Sequence, residues 1–342
     1  MAQPDLSTLW LGLPLRSPLV VGAAAPLSED PANLQRLEEA GAAAIVLHSL
    51  FEEQLEQEQL NLHHLSLVGS ESYGESLSYV PPLFHVGSEL YLRHLEQARA
   101  RLSIPVIASL NGQHPGSWVR YARQLEGAGA SAIELNIYSL PTDPDQSSAA
   151  IEAEVEEIVR EVRAEVRVPL AVKLSPFFTN VAAMARRLAA AGADGLTLFN
   201  RFYQPDIDIE TLELKANLLL STPHDLRLPL RWIALLHGRH CLDLAASSGV
   251  HRGTDVVRLL LAGACVTQVV AALLRHGPRR LTSLEQELRL WLSDHGHTSV
   301  RDLIGCMSQL RCPNPGDYER VQYMRMLQTF QPDSAINAPG PW

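Results

Sequence analysis

The sequence predicts an α/β protein, a TIM-type (β/α)8 barrel with a long excursion after strand two and a helical C-terminal extension. Three observations carry that expectation. First, an Ala-Gly-Ala cap followed by an apolar run recurs at 39–48, 127–136, 190–200 and 261–270. Glycine takes the left-handed conformation that ends a helix, and small flanking residues let helix and strand pack closely. Second, eight apolar runs can be placed, at about 18–23, 43–48, 104–110, 132–138, 168–174, 195–200, 241–247 and 264–270, with helical patterns between most of them. Third, the runs ending the first three repeats close on His48, Asn136 and Asn200. Barrel enzymes keep their chemistry at such carboxyl strand ends. A doubly wound sheet is the alternative for the same element order.

Taken in order, Asp30-Pro-Ala-Asn opens a helix with an acidic start and helical apolar spacing. Residues 117–127 and 147–166 are expected to be helical, and Ile151, Val155, Ile158, Val159 and Val162 mark one face of the second. Residues 181–190 and 255–261 complete the helices between strands. The stretch 49–103 is too long for a simple connection and is a candidate lid or substrate loop. It contains an acidic helical pattern over 51–60, a Tyr73-to-Tyr79 segment and Pro81-Pro82. Residues 1–284 are assigned to the barrel and 285–342 to the extension. From about 283 helical pieces are expected at 283–293, 299–310 and 316–329.

Composition narrows the function. The chain has 342 residues, 46% hydrophobic, with net charge −10 and no basic block. A core is easily supported, and nucleic acid or an anionic membrane is not the expected partner. Cys241, Cys265, Cys306 and Cys312 show no CxxC spacing, which suits a reducing cytoplasm better than a disulfide framework. No signal-peptide pattern opens the chain, and no apolar stretch is long enough to cross a bilayer. His63-His64, His237/His240 and His295/His297 lack carboxylates at ligand spacing, so no metal site is expected.

Lys173 stands out. It is one of only two lysines, with Lys215, and it closes the apolar run Val168-Pro-Leu-Ala-Val-Lys-Leu174. A buried ammonium is costly unless an anion meets it, and lysine brings a compact charge close to a ring or a reacting atom. A solvent-facing strand end is the bland alternative. For Asn136, Ser139 and Gly249 the bland alternatives are a strand cap, a loop serine and a turn glycine.

In strand order, the chain resembles the dihydroorotate dehydrogenase family of FMN barrels. Ser17-Pro-Leu-Val-Val-Gly-Ala-Ala24, Glu134-Leu-Asn-Ile-Tyr-Ser139, Ala171-Val-Lys-Leu-Ser-Pro176, Ser247-Ser-Gly-Val250 and Ala262-Gly-Ala-Cys-Val-Thr-Gln-Val-Val-Ala-Ala-Leu273 carry the likeness over roughly 10–285. The resemblance implies a flavoprotein oxidoreductase of pyrimidine metabolism acting on a CH–CH bond. FMN would be held by Ala23, Ala24, His48, Asn111, Lys173, Ser248, Gly249, Val270 and Ala271. Asn136 and Asn200 would bind substrate. Ser139 would be the base and Lys173 would stabilise the reduced ring. Electrons would leave to a soluble acceptor or a partner protein, and a homodimer is also compatible.

Three positions depart from the family pattern. His48 stands where a lysine is usual. No asparagine-containing substrate loop is visible in 66–86, and Val270-Ala271 replaces a Gly-Thr pair. Two other readings therefore stay open, a Schiff-base aldolase using Lys173 and a flavin-binding scaffold without dehydrogenase activity.

Overall fold

Two short strands precede the barrel. β1 (Thr8–Trp10) and β2 (Leu13–Leu15) pair antiparallel across Leu11-Gly12, both with positive φ, 55° and 71°. Two consecutive left-handed residues give the tight turn whose twist matches paired strands. The structure, a computed structural model, describes residues 3–51, 87–111, 115–201, 205–215 and 218–329. The expected features over 52–86, His63-His64 among them, lie outside the described residues.

The barrel strands are β3 (Leu19–Val21), β4 (Ala44–Phe51), β5 (Val106–Asn111), β6 (Ala132–Asn136), β7 (Leu170–Leu174), β8 (Gly195–Leu198), β11 (Asp243–Ser247) and β12 (Val266–Val269). Between β8 and β11 the short strands β9 (Asp206–Asp208) and β10 (Glu213–Lys215) form a separate antiparallel pair. The eight barrel strands are parallel and close in the order β11-β12-β3-β4-β5-β6-β7-β8. Each coincides with one of the eight expected runs, and the doubly wound alternative falls because the sheet has no edge. The repeated cap behaves as expected. Gly41, Gly129, Gly192 and Gly263 all have positive φ, between 89° and 125°.

Strand alternation divides the core in two. Outward residues such as Ile133, Leu135, Val172 and Leu196 pack under the helices. Inward residues at the amino-terminal end, Val20, Ala44, Val46, Ile107, Ala132, Ala171, Ala245 and Val266, surround Trp10, which is 0% exposed. Small inward side chains leave the space that the indole fills, so the hairpin is a plug for the barrel floor. The Leu11 N–H fixes that plug by donating to Asp243 Oδ2 at 2.7 Å.

The carboxyl-terminal region differs from expectation in two ways. The proposed division at 284/285 falls inside one continuous helix, Arg280–Asp294. That helix buries Leu281, Leu284, Leu288 and Leu292 and receives the Gly253 N–H on Glu287 Oε2 at 2.6 Å. Residues 299–310 form a short 3-10 turn, Val300–Asp302, and then irregular turns rather than a helix. Their backbone N–H groups are used by the barrel helices instead. Gly305 donates to Leu260 O, Met307 to Leu261 O and Gln309 to Ala234 O, each at 2.9 Å. The helix Arg227–Leu236 was not foreseen, because Pro229 lies near its start. In the first turn of a helix proline forfeits no intrahelical bond.

Candidate active site at the carboxyl mouth

Two residues beyond the alanine floor, the same alternation brings polar side chains inward. Glu134 on β6 is 0% exposed, and Lys173 on β7 is 6% exposed. Lys173 Nζ lies 3.5 Å from Glu134 Oε1. The other carboxylate oxygen accepts from Thr197 Oγ1 at 2.9 Å and from Gln268 Nε2 at 2.6 Å. A buried charge pair is sustained only when its remaining lone pairs and protons are satisfied, and Glu134 meets that condition on both oxygens. The solvent-facing alternative for Lys173 is excluded. The amine is engaged by a carboxylate rather than left free, which opposes the free nucleophile that a Schiff-base aldolase needs.

One layer higher, Asn200 Nδ2 donates to Asn136 Oδ1 at 2.7 Å. Asn136 Nδ2 lies 3.4 Å from Ser49 Oγ, which is 2.8 Å from Ser109 Oγ. Ser49, Asn136 and Asn200 border a cavity of about 410 Å³ at the carboxyl ends of the strands. Of the residues expected at the site, Ala23, Ala24, Asn136, Lys173, Asn200, Ser248, Gly249, Val270 and Ala271 line it together. The turn after β11 is unusual. Ser248 and Gly249 both have positive φ, 79° and 77°. A Cβ on Gly249 would come within 2.3 Å of the Leu226 backbone nitrogen, so only glycine fits. Its N–H donates to Ser221 Oγ at 3.3 Å. Asp255 braces the following segment by accepting from the His251 and Arg252 N–H groups.

Three expected residues lie elsewhere. Simple alternation through Ala44 and Val46 points His48 inward. The β4–β5 register shifts between Val46 and Ser49, so Ser49 takes the inward place. His48 instead packs outside the barrel, with Nδ1 3.1 Å from Ser28 Oγ and its ring 5.1 Å from Tyr91 and 5.8 Å from His94. Burial first, then the neighbouring His94, lowers its pKa. Asn111 is buried at the end of β5 but is not part of the cavity wall. Ser139 is exposed and lines an adjoining, mostly apolar cavity of about 410 Å³ with Ile137, Phe177 and Phe178.

Sequence reasoning overlooked Ser49, Glu134, Thr197, Ser221 and Gln268 as site residues. A signal existed for Glu134, Thr197 and Gln268, since each is a polar residue inside an apolar strand and in phase with an inward neighbour. No such signal marks Ser221, which reaches the cavity from a loop. Among the described residues, no cluster of three or more metal-ligating side chains occurs.

The fold and site define a (β/α)8 barrel with a cavity at its carboxyl face, bordered by a buried lysine and a pair of amides. The sequence model described as dihydroorotate dehydrogenase matches residues 83–292. A protein of Aeropyrum pernix assigned as dihydroorotate dehydrogenase A (fumarate) is 31% identical over 89% of this chain and 98% of its own length. The catalytic subunit of dihydroorotate dehydrogenase B (NAD(+)) from Thermoplasma acidophilum is 26% identical over 88% of this chain and 98% of its own. The same-named subunit of a Geobacter species is 30% identical over 66% of this chain and 75% of its own. The chain belongs to the dihydroorotate dehydrogenase family and is an oxidoreductase of that type. No helix among the described residues is long and apolar enough to cross a membrane.

Proposed function

We propose that this protein is an FMN-dependent dehydrogenase that oxidises dihydroorotate or a closely related dihydropyrimidine at the barrel mouth. The observation that carries the proposal is the convergence of Lys173, Asn136, Asn200 and Gln268 on one cavity. The cavity suits a flavin in three respects. Its wall at Ala23 and Ala24 is small enough for a flat ring to approach. Lys173 offers a fixed positive charge, and the Ser248-Gly249 turn brings backbone close to the ligand space, as phosphate binding requires.

FMN, when bound, supplies the hydride acceptor. The protein supplies the rest. Lys173, oriented by Glu134, stabilises negative charge on a ring beside it. Asn136 and Asn200 each present an amide with a donor and an acceptor, which matches the alternating edge of a dihydropyrimidine. The substrate must also lose a proton from the carbon next to the one that loses hydride. Ser139 is the proposed base, and that role requires the loop after Asn136 to turn its hydroxyl toward the central cavity. Electrons then leave to a small soluble acceptor or a partner protein. Relatives named for fumarate and for NAD(+) represent both kinds of route. The β9/β10 hairpin beside the mouth exposes Ile207, Ile209, Leu212 and Leu214, an apolar strip that suits a partner or a second copy of the chain.

An absorption spectrum followed by anaerobic addition of dihydroorotate tests the proposal. A flavin spectrum that bleaches on mixing is expected. Flavin that stays oxidised sinks dihydroorotate as substrate, and protein that takes up no FMN sinks the cofactor. Ser139→Ala is expected to slow flavin reduction about 10²- to 10⁴-fold while leaving FMN affinity unchanged.

A further inference from the structure

Gln268 is 1% exposed and borders the central cavity. Its Nε2 donates to Glu134 Oε2 at 2.6 Å and lies 3.4 Å from Thr197 Oγ1. Its Oε1 is buried and has no hydrogen-bond partner. That orientation has a cause. Glu134 Oε1 faces Lys173, and Oε2 already accepts from Thr197 Oγ1, so the atom opposite the amide is an acceptor. The amide must therefore turn its nitrogen to Glu134 and its oxygen away. The reverse orientation sets two acceptors against each other in a buried place. Glu134 thus leaves an unpaired acceptor, itself closed to solvent, on a residue that borders the cavity. Buried acceptors are rarely left unpaired, and one bordering a ligand cavity calls for a donor on the ligand.

We propose that Gln268 Oε1 accepts the ring N–H of an imide or cyclic urea, and that Glu134, a positioning residue, sets this specificity by fixing the amide. The inference rests on the proposed function in one respect. Two rings in that reading carry such a group, the imide N–H of the flavin and the ring N–H groups of the dihydropyrimidine.

Methylated ligands separate the two sources. The full-length protein, stripped of flavin, is titrated with FMN and with 3-methyl-FMN, followed by flavin fluorescence. The flavin-loaded protein is titrated with orotate, 1-methylorotate and 3-methylorotate, followed by the flavin absorption shift. Replacing the recognised N–H by N–CH3 is expected to weaken one series about tenfold or more, equivalent to about 1.4 kcal/mol. Weakening in the flavin series assigns the acceptor to the cofactor, and weakening in the orotate series assigns it to the substrate. Gln268→Ala removes the acceptor and leaves room for a methyl group, so its discrimination ratio should fall to near one. Glu134→Gln, which frees the amide to turn, should shrink the ratio too. Equal affinity of the wild-type protein for methylated and unmethylated ligands in both series overturns the proposal. Discrimination that survives in Gln268→Ala overturns it as well. Failure of FMN itself to bind is a separate result that defeats the flavin reading. The orotate series, followed by calorimetry, then decides the role of Gln268.

Discussion

At the floor of the barrel Ala132, Ala171 and Ala245 point inward, and Trp10 fills the space they leave. Two residues further along the same strands Glu134, Lys173 and Ser247 point inward, and a cavity opens. The backbone is the same, and so is the alternation. What differs is how the interior is satisfied. The floor is closed by apolar packing against one large ring. The mouth is held by charge pairing and hydrogen bonds, and it keeps Lys173 at the cavity and the Gln268 amide oxygen buried without a partner. A barrel can thus draw stability from one end and devote the other to binding, and substitutions at the two ends should have different signatures.

The largest expected effect breaks the floor. Trp10→Ala should cost about 3–5 kcal/mol of stability, because the alanines around it cannot collapse to fill the void. Denaturant unfolding measures the loss, and turnover per folded molecule should be nearly unchanged. At the mouth, Lys173→Met leaves Glu134 as a buried, uncompensated carboxylate and should cost about 3–5 kcal/mol or somewhat less. Adding Glu134→Gln should recover part of that stability but none of the flavin affinity. A double-mutant cycle read by unfolding and by FMN titration shows whether the pair is coupled as the 3.5 Å separation implies. Additive costs would show that it is not.

Gly249→Ala forces both a left-handed φ and a collision with Leu226, and should cost about 1–3 kcal/mol together with weaker FMN binding. Thermal unfolding in the presence and absence of FMN separates the two effects. The smallest expected effect concerns His48, outside the barrel wall. Its folded-state pKa lies below the ordinary value of 6.5 because of burial and His94, with Glu29 opposing. The unfolded chain therefore binds the proton more readily. Stability falls as pH drops through the region around 6.5 and is retained above it. His48→Gln should make that fall shallower. Burial shifts His237 and His251 in the same direction, so the slope should shrink rather than vanish.

Much of the fold was legible in the sequence. The four Ala-Gly-Ala caps and the apolar runs are local signals, since a glycine that must take positive φ and a buried strand both write themselves into neighbouring residues. Lys173, Asn136 and Asn200 were legible for the same reason, being polar residues at the ends of apolar runs. His48 was misplaced because one shift of register in β4 turns every later side chain to the other face, and no local signal announces the shift. The 299–310 segment was misplaced because its hydrogen-bond partners are barrel helices far away in sequence.

The sequence by itself determined the order of strands and caps, and with it the parallel barrel and the end that carries the chemistry. Those follow from propensity and period, which act over a few residues. Only the tertiary structure decided that Trp10 plugs the floor, that Glu134 holds Lys173 and engages the Gln268 amide nitrogen, and that Ser49 rather than His48 faces inward. Each of these depends on closing the sheet into a ring, which brings together side chains from strands more than a hundred residues apart, as Glu134 and Gln268 are.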